Sequence, residues 1–262
     1  MPEGHTIHRL ARDHRKYFLG ERLQFSSPQG RFTTGAKKIQ RRALGDVTAH
    51  GKHLFYHFSS RTILHIHLGL YGKFKTHKLP MPELRGAIRL RGVGKDRGFD
   101  LRGPNQCELL DKKAYQKIID RLGPDPLQPD ADKSVVWQQI SKSKIAIGGL
   151  LLNQAVISGI GNVYRADLLF ETRIDPFRQG CDLEKNEFEM LWQLMRRWLS
   201  LGVKYNRIIT VDAHQLGKTP GKLLSTERLL IYKKQVCPDC GMEVKQGNLA
   251  NRTIYYCGRC QT

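Results

Sequence analysis

The residues best suited to chemistry stand at the two ends of the sequence. At the start, Met1-Pro2-Glu3-Gly4-His5-Thr6 puts a proline directly after the initiator methionine. Proline there favours removal of Met1, which exposes a secondary α-amine. An α-amino group titrates near ~7.7–8.0, so a useful fraction is an unprotonated nucleophile at neutral pH. Such an amine can attack a sugar C1′ and form an iminium, the covalent strategy of Schiff-base lysines. Glu3 beside it is a candidate general acid or base. At the other end, Cys237-Pro-Asp-Cys240 and Cys257-Gly-Arg-Cys260 are two Cys-x-x-Cys knuckles separated by residues 241–256. Each knuckle brings two thiolates near one ion, and a hairpin between them completes one tetrahedral four-thiolate site. Four ligands close the sphere, so a single structural Zn²⁺ is expected, with no hydrolytic role. Alone, a Met-Pro-Glu start is commonplace, and a zinc ribbon says only that nucleic acid is a frequent partner.

A third signal is Ser158-Gly159-Ile160-Gly161-Asn162-Val163-Tyr164-Arg165. The glycines allow close backbone approach, Asn162 is read as the cap of the following helix, and the helix's positive end suits a DNA phosphate. A tight interhelical turn is the commoner meaning of Gly-x-Gly, and the spacing is not that of a dinucleotide fingerprint.

These residues need elements to hold them. Residues 4–19 read as a helix through Ile7, Leu10, His14, Tyr17 and Phe18. The period then changes to two, in segments such as Val47–His50, Leu54–Phe58, Thr62–His67 and Ala87–Leu90 broken by Gly and Pro, the pattern of a sandwich or barrel. His50, His53, His65 and His67 fall on these strands, where packing or phosphate contact fits better than a metal cluster. Pro124, Pro126 and Pro129 mark residues 122–129 as a linker. Beyond it, Asp182 is read as the N-cap of a helix whose stripe of Phe188, Leu191, Trp192, Met195, Trp198 and Leu199 is core. A turn-rich stretch, Asp212 to Ser225, leads to the cysteines. There Val244-Lys245 and Thr253–Tyr256 supply strands, with Gly247-Asn248 as the turn.

The 262 residues carry 44 Lys and Arg against 24 Asp and Glu, a net charge of +20. Such an excess points to a polyanion, because clustered cations gain affinity by releasing phosphate counterions. No apolar run approaches the ~18 residues of a membrane helix, and the start lacks a secretory signal. Four of the six cysteines crowd the tail, which favours a metal site in a reducing compartment over a disulfide framework. A cytoplasmic, nucleoid-associated protein is expected.

Taken together, Met1-Pro2-Glu3-Gly4, Gly51-Lys52, His67-Leu68-Gly69-Leu70-Tyr71-Gly72, Asp100-Leu101-Arg102, Leu122-Gly123-Pro124-Asp125-Pro126, Leu152-Asn153-Gln154 through Gly161-Asn162, and the cysteine tail resemble one family in order and spacing: the formamidopyrimidine-DNA glycosylase and endonuclease VIII family. The resemblance implies an α+β protein. An N-terminal β-sandwich with its N-terminal helix would span residues 1–121, a helix–two-turn–helix domain 130–225 and a zinc-ribbon finger 226–262. It implies a bifunctional glycosylase and abasic-site lyase acting on damaged double-stranded DNA, as a monomer and without a redox cofactor. By the same resemblance Pro2 is the nucleophile and Glu3 its acid–base partner. Lys52 assists the lyase step and contacts phosphate, and Arg252 promotes the second elimination. Asn162 binds phosphate, Arg102 fills the gap left by the flipped nucleotide, and Leu70 with Tyr71 forms the wedge. Without the resemblance, Lys52 and Arg252 would read as solvated surface, Leu70 as core and Tyr71 as a strand aromatic.

The sequence departs from the family at His5 and Thr6, where a second acidic residue is usual. Gly4 favours the endonuclease VIII branch and oxidised pyrimidines. His67-Leu68-Gly69 is closer to the purine branch, so 8-oxopurines and formamidopyrimidines are the alternative lesions. A catalytically weak damaged-DNA binder is the alternative of another class.

Overall fold

The stripe read near the N-terminus forms helix α1 (Gly4–Phe18), which buries Ile7, Ala11, His14 and Phe18 and leaves Arg12, Arg15 and Lys16 exposed. Spacings of four, three and four place the buried set on one face. The structure is a computed structural model that describes residues 2–59 and 61–262. Met1, whose removal the proposed amine requires, lies outside the described residues.

After α1 the chain builds eight strands: β1 (Gln24–Ser26), β2 (Leu44–His50), β3 (His53–Phe58), β4 (Ile63–His67), β5 (Lys73–Lys78), β6 (Ile88–Val93), β7 (Arg97–Arg102) and β8 (Gln106–Leu110). Helix α2 (Thr33–Ile39) lies between β1 and β2, and α3 (Lys112–Asp120) follows β8. They form two antiparallel four-stranded sheets, ordered β1-β6-β7-β5 and β2-β3-β4-β8, and so a β-sandwich. The inner faces share one core, with Phe25, Leu90, Phe99 and Leu101 from one sheet and Leu54, Tyr56, Leu64 and Ile66 from the other. β3 is buried almost throughout because its outer face is covered too: Phe55, Ile63 and Leu110 pack under Ala114, Tyr115 and Ile118 of α3. Two polar pairs are built into the sandwich. His14 bonds the Tyr56 hydroxyl (2.6 Å) and stacks on Phe99, with ring centroids 5.0 Å apart. Arg91 and Asp100, cross-strand partners on β6 and β7, form a two-pronged ion pair (2.7 and 3.0 Å).

The compact unit containing these elements ends at Arg121, and a second begins at Leu122. In the second, α4 (Lys133–Ile140), α5 (Ile147–Leu150), α6 (Asn162–Glu171) and α7 (Lys185–Tyr205) surround a core of Val136, Ile147, Tyr164, Leu168, Phe188, Trp192 and Met195. Residues 122–129 are irregular, yet they are seated on this unit. Gly123 donates to the Gln154 carbonyl (2.8 Å), Ser158 donates to that of Pro124 (3.0 Å), and a Cβ at Gly123 would stand 2.5 Å from Val156. Among the described residues no helix is long and apolar enough to cross a membrane.

Two local expectations are corrected. α7 is capped by Glu184, not Asp182: Glu184 and Glu187 form a reciprocal capping box, while Asp182 belongs to a short 3₁₀ turn. The cysteine-rich hairpin, β9 (Lys245–Leu249) and β10 (Arg252–Tyr256), turns at Ala250-Asn251 and not at Gly247-Asn248. Both turn residues have positive φ (54° and 57°), the two-residue geometry that matches strand twist. Gly247 lies within β9 for another reason: a Cβ there would come within 2.8 Å of the Phe177 ring.

Burial pushes the His14 pKa from its ordinary 6.5 down to about 4. The unfolded chain therefore binds the extra proton between those values, and stability conferred by neutral His14 is lost as pH falls from 6.5 towards 4. The slope is up to about 1.4 kcal/mol per pH unit for that group. Trp137, Trp192 and Trp198 all belong to the second unit, so their fluorescence follows it alone while calorimetry follows both. We expect the calorimetric transition of the first unit to fall steeply between pH 6.5 and 4.5, and His14→Gln to remove about one proton from that dependence.

Candidate active site

Pro2 and Glu3 sit at the positive end of α1. Glu3 is fully buried, occupies the N-cap position in extended backbone, and its carbonyl accepts from Thr6 N (2.9 Å). The first-turn N–H groups at a helix start favour an anion there. His5, the second residue of the helix and buried, has its pKa pushed down to about 3, by burial first and then by the N-terminal charge and His8. A neutral imidazole, bonded to Thr6 Oγ1 at 3.2 Å, thus stands where the family resemblance leads one to expect an acid.

Lys52 lies in the tight turn joining β2 to β3, closed by the His50–His53 pair, with Gly51 at φ 55°. Leu70 and Tyr71 occupy the turn between β4 and β5 and are 43% and 85% exposed. The turn is pinched: Gly72 donates to the Leu68 carbonyl (2.9 Å), and Gly69 has φ +65°. Arg102 ends β7, paired with Lys73 at the start of β5. A Cβ at the next residue, Gly103, would stand 3.6 Å from the Tyr71 carbonyl, so the unit brings Leu70, Tyr71 and Arg102 to one end of one sheet. Arg102 is held there by the Arg85 carbonyl (3.1 Å) and by Asp100 (3.5 Å).

The strand histidines form a line. Glu108 accepts from His65 Nδ1 (2.9 Å), which leaves His65 Nε2 to accept from His53 Nδ1 (2.9 Å). The His53 ring lies 4.9 Å from that of His67. Burial pushes His53 down to about 3 and His67 to about 4, with neighbouring histidines and, for His67, Lys52 adding to it. These are neutral hydrogen-bonding groups. Among the described residues only the four cysteines converge as a set of three or more metal-capable side chains.

In the second unit, Asn162 does not cap α6. Gly161 holds the cap position, and Asn162 is the first helical residue, with Nδ2 donating to the Thr253 carbonyl (2.8 Å) and Oδ1 accepting from Arg165 (2.5 Å). Its amide has a second N–H to offer a phosphate. Gln154 braces the preceding Gly-x-Gly turn, accepting from Gly159 N and donating to the Ile160 carbonyl, both at 3.0 Å. Arg252 opens β10 and is exposed, paired across the turn with Leu249.

The four cysteine sulfurs lie within 4.8 Å of one another, and none forms a disulfide. Two of the separations, Cys237–Cys260 at 3.9 Å and Cys240–Cys257 at 3.5 Å, bracket the ~3.8 Å edge of a tetrahedron with ~2.3 Å metal–sulfur bonds. The quartet fits a closed four-thiolate metal site.

Two charged residues to which the sequence assigned no role tie down the hairpin (Arg165) and the segment ahead of it (Asp167). Arg165 and Asp167 are both fully buried on α6. The Asp167 carboxylate accepts from Thr210 Oγ1 (2.5 Å) and from the backbone N–H groups of Leu230, Ile231 and Tyr232 (3.0, 3.0 and 2.9 Å). The signal that could have found them is the setting: a charge in a helix whose every residue from Asn162 to Phe170 is buried.

Comparison with known proteins places this geometry among relatives. Residues 1–106 match the family model of the formamidopyrimidine-DNA glycosylase N-terminal domain, and residues 122–213 that of the formamidopyrimidine-DNA glycosylase H2TH domain. The chain is 42% identical to Endonuclease 8 1 of Mycobacterium tuberculosis, covering 100% of both chains. It is 30% identical to the formamidopyrimidine-DNA glycosylase of Thermomicrobium roseum, over 86% of this chain and 84% of that one. Among solved structures, Lactococcus lactis Fpg in complex with abasic-site DNA superposes with a TM-score of 0.79 over 99% of each chain at 20% identity. At that identity the likeness is one of fold.

Asp167→Asn replaces an acceptor-only group by one that also donates, against three backbone donors. We expect a loss of about 2–4 kcal/mol and faster amide exchange at residues 230–232, measured by urea melts followed by tryptophan fluorescence and by hydrogen exchange.

Proposed function

The chain belongs to the formamidopyrimidine-DNA glycosylase and endonuclease VIII family of DNA-repair glycosylases, and on that premise we propose that it is a bifunctional glycosylase and abasic-site lyase of base excision repair. Oxidised pyrimidines in double-stranded DNA are its preferred lesions. The observation that carries this reading is the end-to-end likeness to an endonuclease 8, at 42% identity against 30% for the formamidopyrimidine relative.

The lesion must leave the stack, because C1′ cannot be reached inside a duplex, and unstacking costs roughly a few kcal/mol. The exposed Leu70 and Tyr71 serve as the wedge, and Arg102, at the same end of the sheet, occupies the gap. Removal of Met1 frees the Pro2 amine, which attacks C1′. The glycosidic bond breaks towards the base, which leaves with a proton from Glu3. The amine gives up its proton and the C1′–O4′ bond opens with a proton delivered to O4′, which leaves a ring-opened iminium that acidifies the 2′ protons: one is lost and the 3′ phosphate departs, with Lys52 assisting. Loss of the 4′ proton then expels the 5′ phosphate, with Arg252 assisting, and water hydrolyses the sugar from the amine. The product is a one-nucleotide gap with phosphate at both ends. Asn162 and the N-terminus of α6 hold a backbone phosphate.

The metal suited to the cysteine quartet is Zn²⁺. With all four positions filled by sulfur it supplies no chemistry to the sugar and braces the hairpin that carries Arg252. The protein acts as a monomer associated with the nucleoid in the cytoplasm.

Borohydride reduction traps an iminium as a stable cross-link. We expect trapping on duplexes carrying an abasic site or thymine glycol, with less on 8-oxoguanine, and none once the N-terminal amine is acetylated. No adduct on the abasic duplex, with Pro2 confirmed as the N-terminal residue, would overturn the enzyme reading in favour of a damaged-DNA binder. Trapping on 8-oxoguanine but not thymine glycol would reverse the lesion preference. Cys240→Ala is expected to release zinc and abolish duplex binding in a mobility-shift titration, and undiminished binding by zinc-free protein would exclude a docking role for the finger.

A further inference from the structure

We infer that Arg165 is a positioning residue for Arg252, one that sets the course of the second elimination without touching the DNA. The inference rests on the lyase reading above and adds to it a determinant inside the core.

Arg252 stands at the base of a two-residue turn, and its direction follows from the backbone on either side of that turn. Both sides are fixed by α6 through their carbonyls. Arg165 Nη1 donates to the carbonyls of Leu249 (3.1 Å) and of Gly148 on α5 (3.2 Å). Its Nη2 donates to the carbonyl of Thr253 (3.3 Å) and to Asn162 Oδ1 (2.5 Å). Asn162 Nδ2 reaches the same Thr253 carbonyl at 2.8 Å. Leu249 precedes the turn and Thr253 follows Arg252 directly, so one guanidinium grips the chain on both sides of the catalytic side chain. The planar fork, with five donors at fixed angles, is what allows one group to serve carbonyls on two strands.

The grip is suited to precision. Arg165 is fully buried, so its hydrogen bonds do not compete with bulk water, and loss of any partner leaves a buried polar group unmet. Arg252 is exposed at the end of a hairpin only ten residues long in its paired strands. Without the tether the Leu249 side of the turn would lose its hydrogen bond to α6, and the Thr253 side would keep only that of Asn162. The same fork also bonds Asn162, the proposed phosphate ligand, so the group that orients Arg252 is joined to the group that registers the DNA backbone.

The test compares Arg165→Met, Arg165→Lys, Arg252→Ala and the Arg165→Met/Arg252→Ala double variant on an abasic duplex. Three quantities are read: bound zinc, borohydride-trapped yield, and the ratio of doubly to singly eliminated product ends. For Arg165→Met we expect zinc retained, trapping within twofold of the parent, and a product ratio lowered about tenfold, less than the ~10²-fold that a 1 Å misplacement can cost. The double variant should be no lower than Arg252→Ala alone, because two residues acting through one step are not additive. Arg165→Lys, with its single point of charge, should recover only part of the ratio. If Arg165→Met loses zinc or does not fold, Arg165→Lys is judged by the same criteria. A normal ratio in these variants while Arg252→Ala lowers it, or effects that multiply in the double variant, would overturn the inference and leave the lyase reading intact. A normal ratio in Arg252→Ala itself would instead remove the elimination role assigned to Arg252, and the inference with it.

Discussion

A helix without a solvent face is the constraint on which the second unit depends. α6 is buried from Asn162 to Phe170, yet it carries a cation and an anion. Either charge, taken out of water and left unmet, would cost several kcal/mol, so each must find hydrogen-bond partners wherever the helix places it. Arg165 and Asp167 are two residues apart, about 200° around the axis, and therefore address different neighbours. The cation meets the tip of the β9–β10 hairpin and α5, and the anion meets residues 230–232, just ahead of the first cysteine knuckle. The position of the finger within its unit thus follows from solvation as much as from apolar packing, to which Ala166 and Phe170 of the same helix also contribute.

The first unit solves a different problem, holding several side chains at element ends without letting them wander. Glu3 is at a helix start, Lys52 and Leu70 are in turns, and Arg102 closes a strand. Behind each stands a rigid element whose own packing is complete: α1 through Ile7 and Phe18, β3 covered on both faces, β7 through Phe99 and Leu101. Asp100 links the two tasks. Its carboxylate completes a buried pair with Arg91 and also reaches Arg102. Chemistry at the margins of well-packed elements is a general division of labour, since the scaffold supplies the precision that a loop alone lacks.

Much of this organisation could be read from the residues. The Cys-x-x-Cys pairs declare their own convergence, and the α1 and α7 stripes report a buried face through a period that only a helix has. What escaped did so for identifiable reasons. β3 and β4 were legible as strands although both of their faces are covered, but the covering helix α3 was not, because its apolar residues are only partly buried. Asp182 has the right side chain for a cap, but the reciprocal Glu184–Glu187 box lies closer to the helix and supplies two bonds. Gly247-Asn248 has the composition of a turn, whereas its glycine answers to the Phe177 ring, a long-range contact with no local trace. Arg165 and Asp167 were given no role because charge in a chain of net charge +20 reads as surface until burial is known.

The hairpin tip is gripped by its carbonyls, and this bears on how the protein can drift over evolutionary time. Every residue has a carbonyl, so substitutions at Leu249 or Thr253 leave the acceptors in place. Mutational freedom at the tip is limited by conformation instead, at Ala250 and Asn251 with their positive φ, and by the identity of one arginine elsewhere in the chain. A lineage could therefore vary the exposed side chains of the tip while the frame that aims them stays fixed.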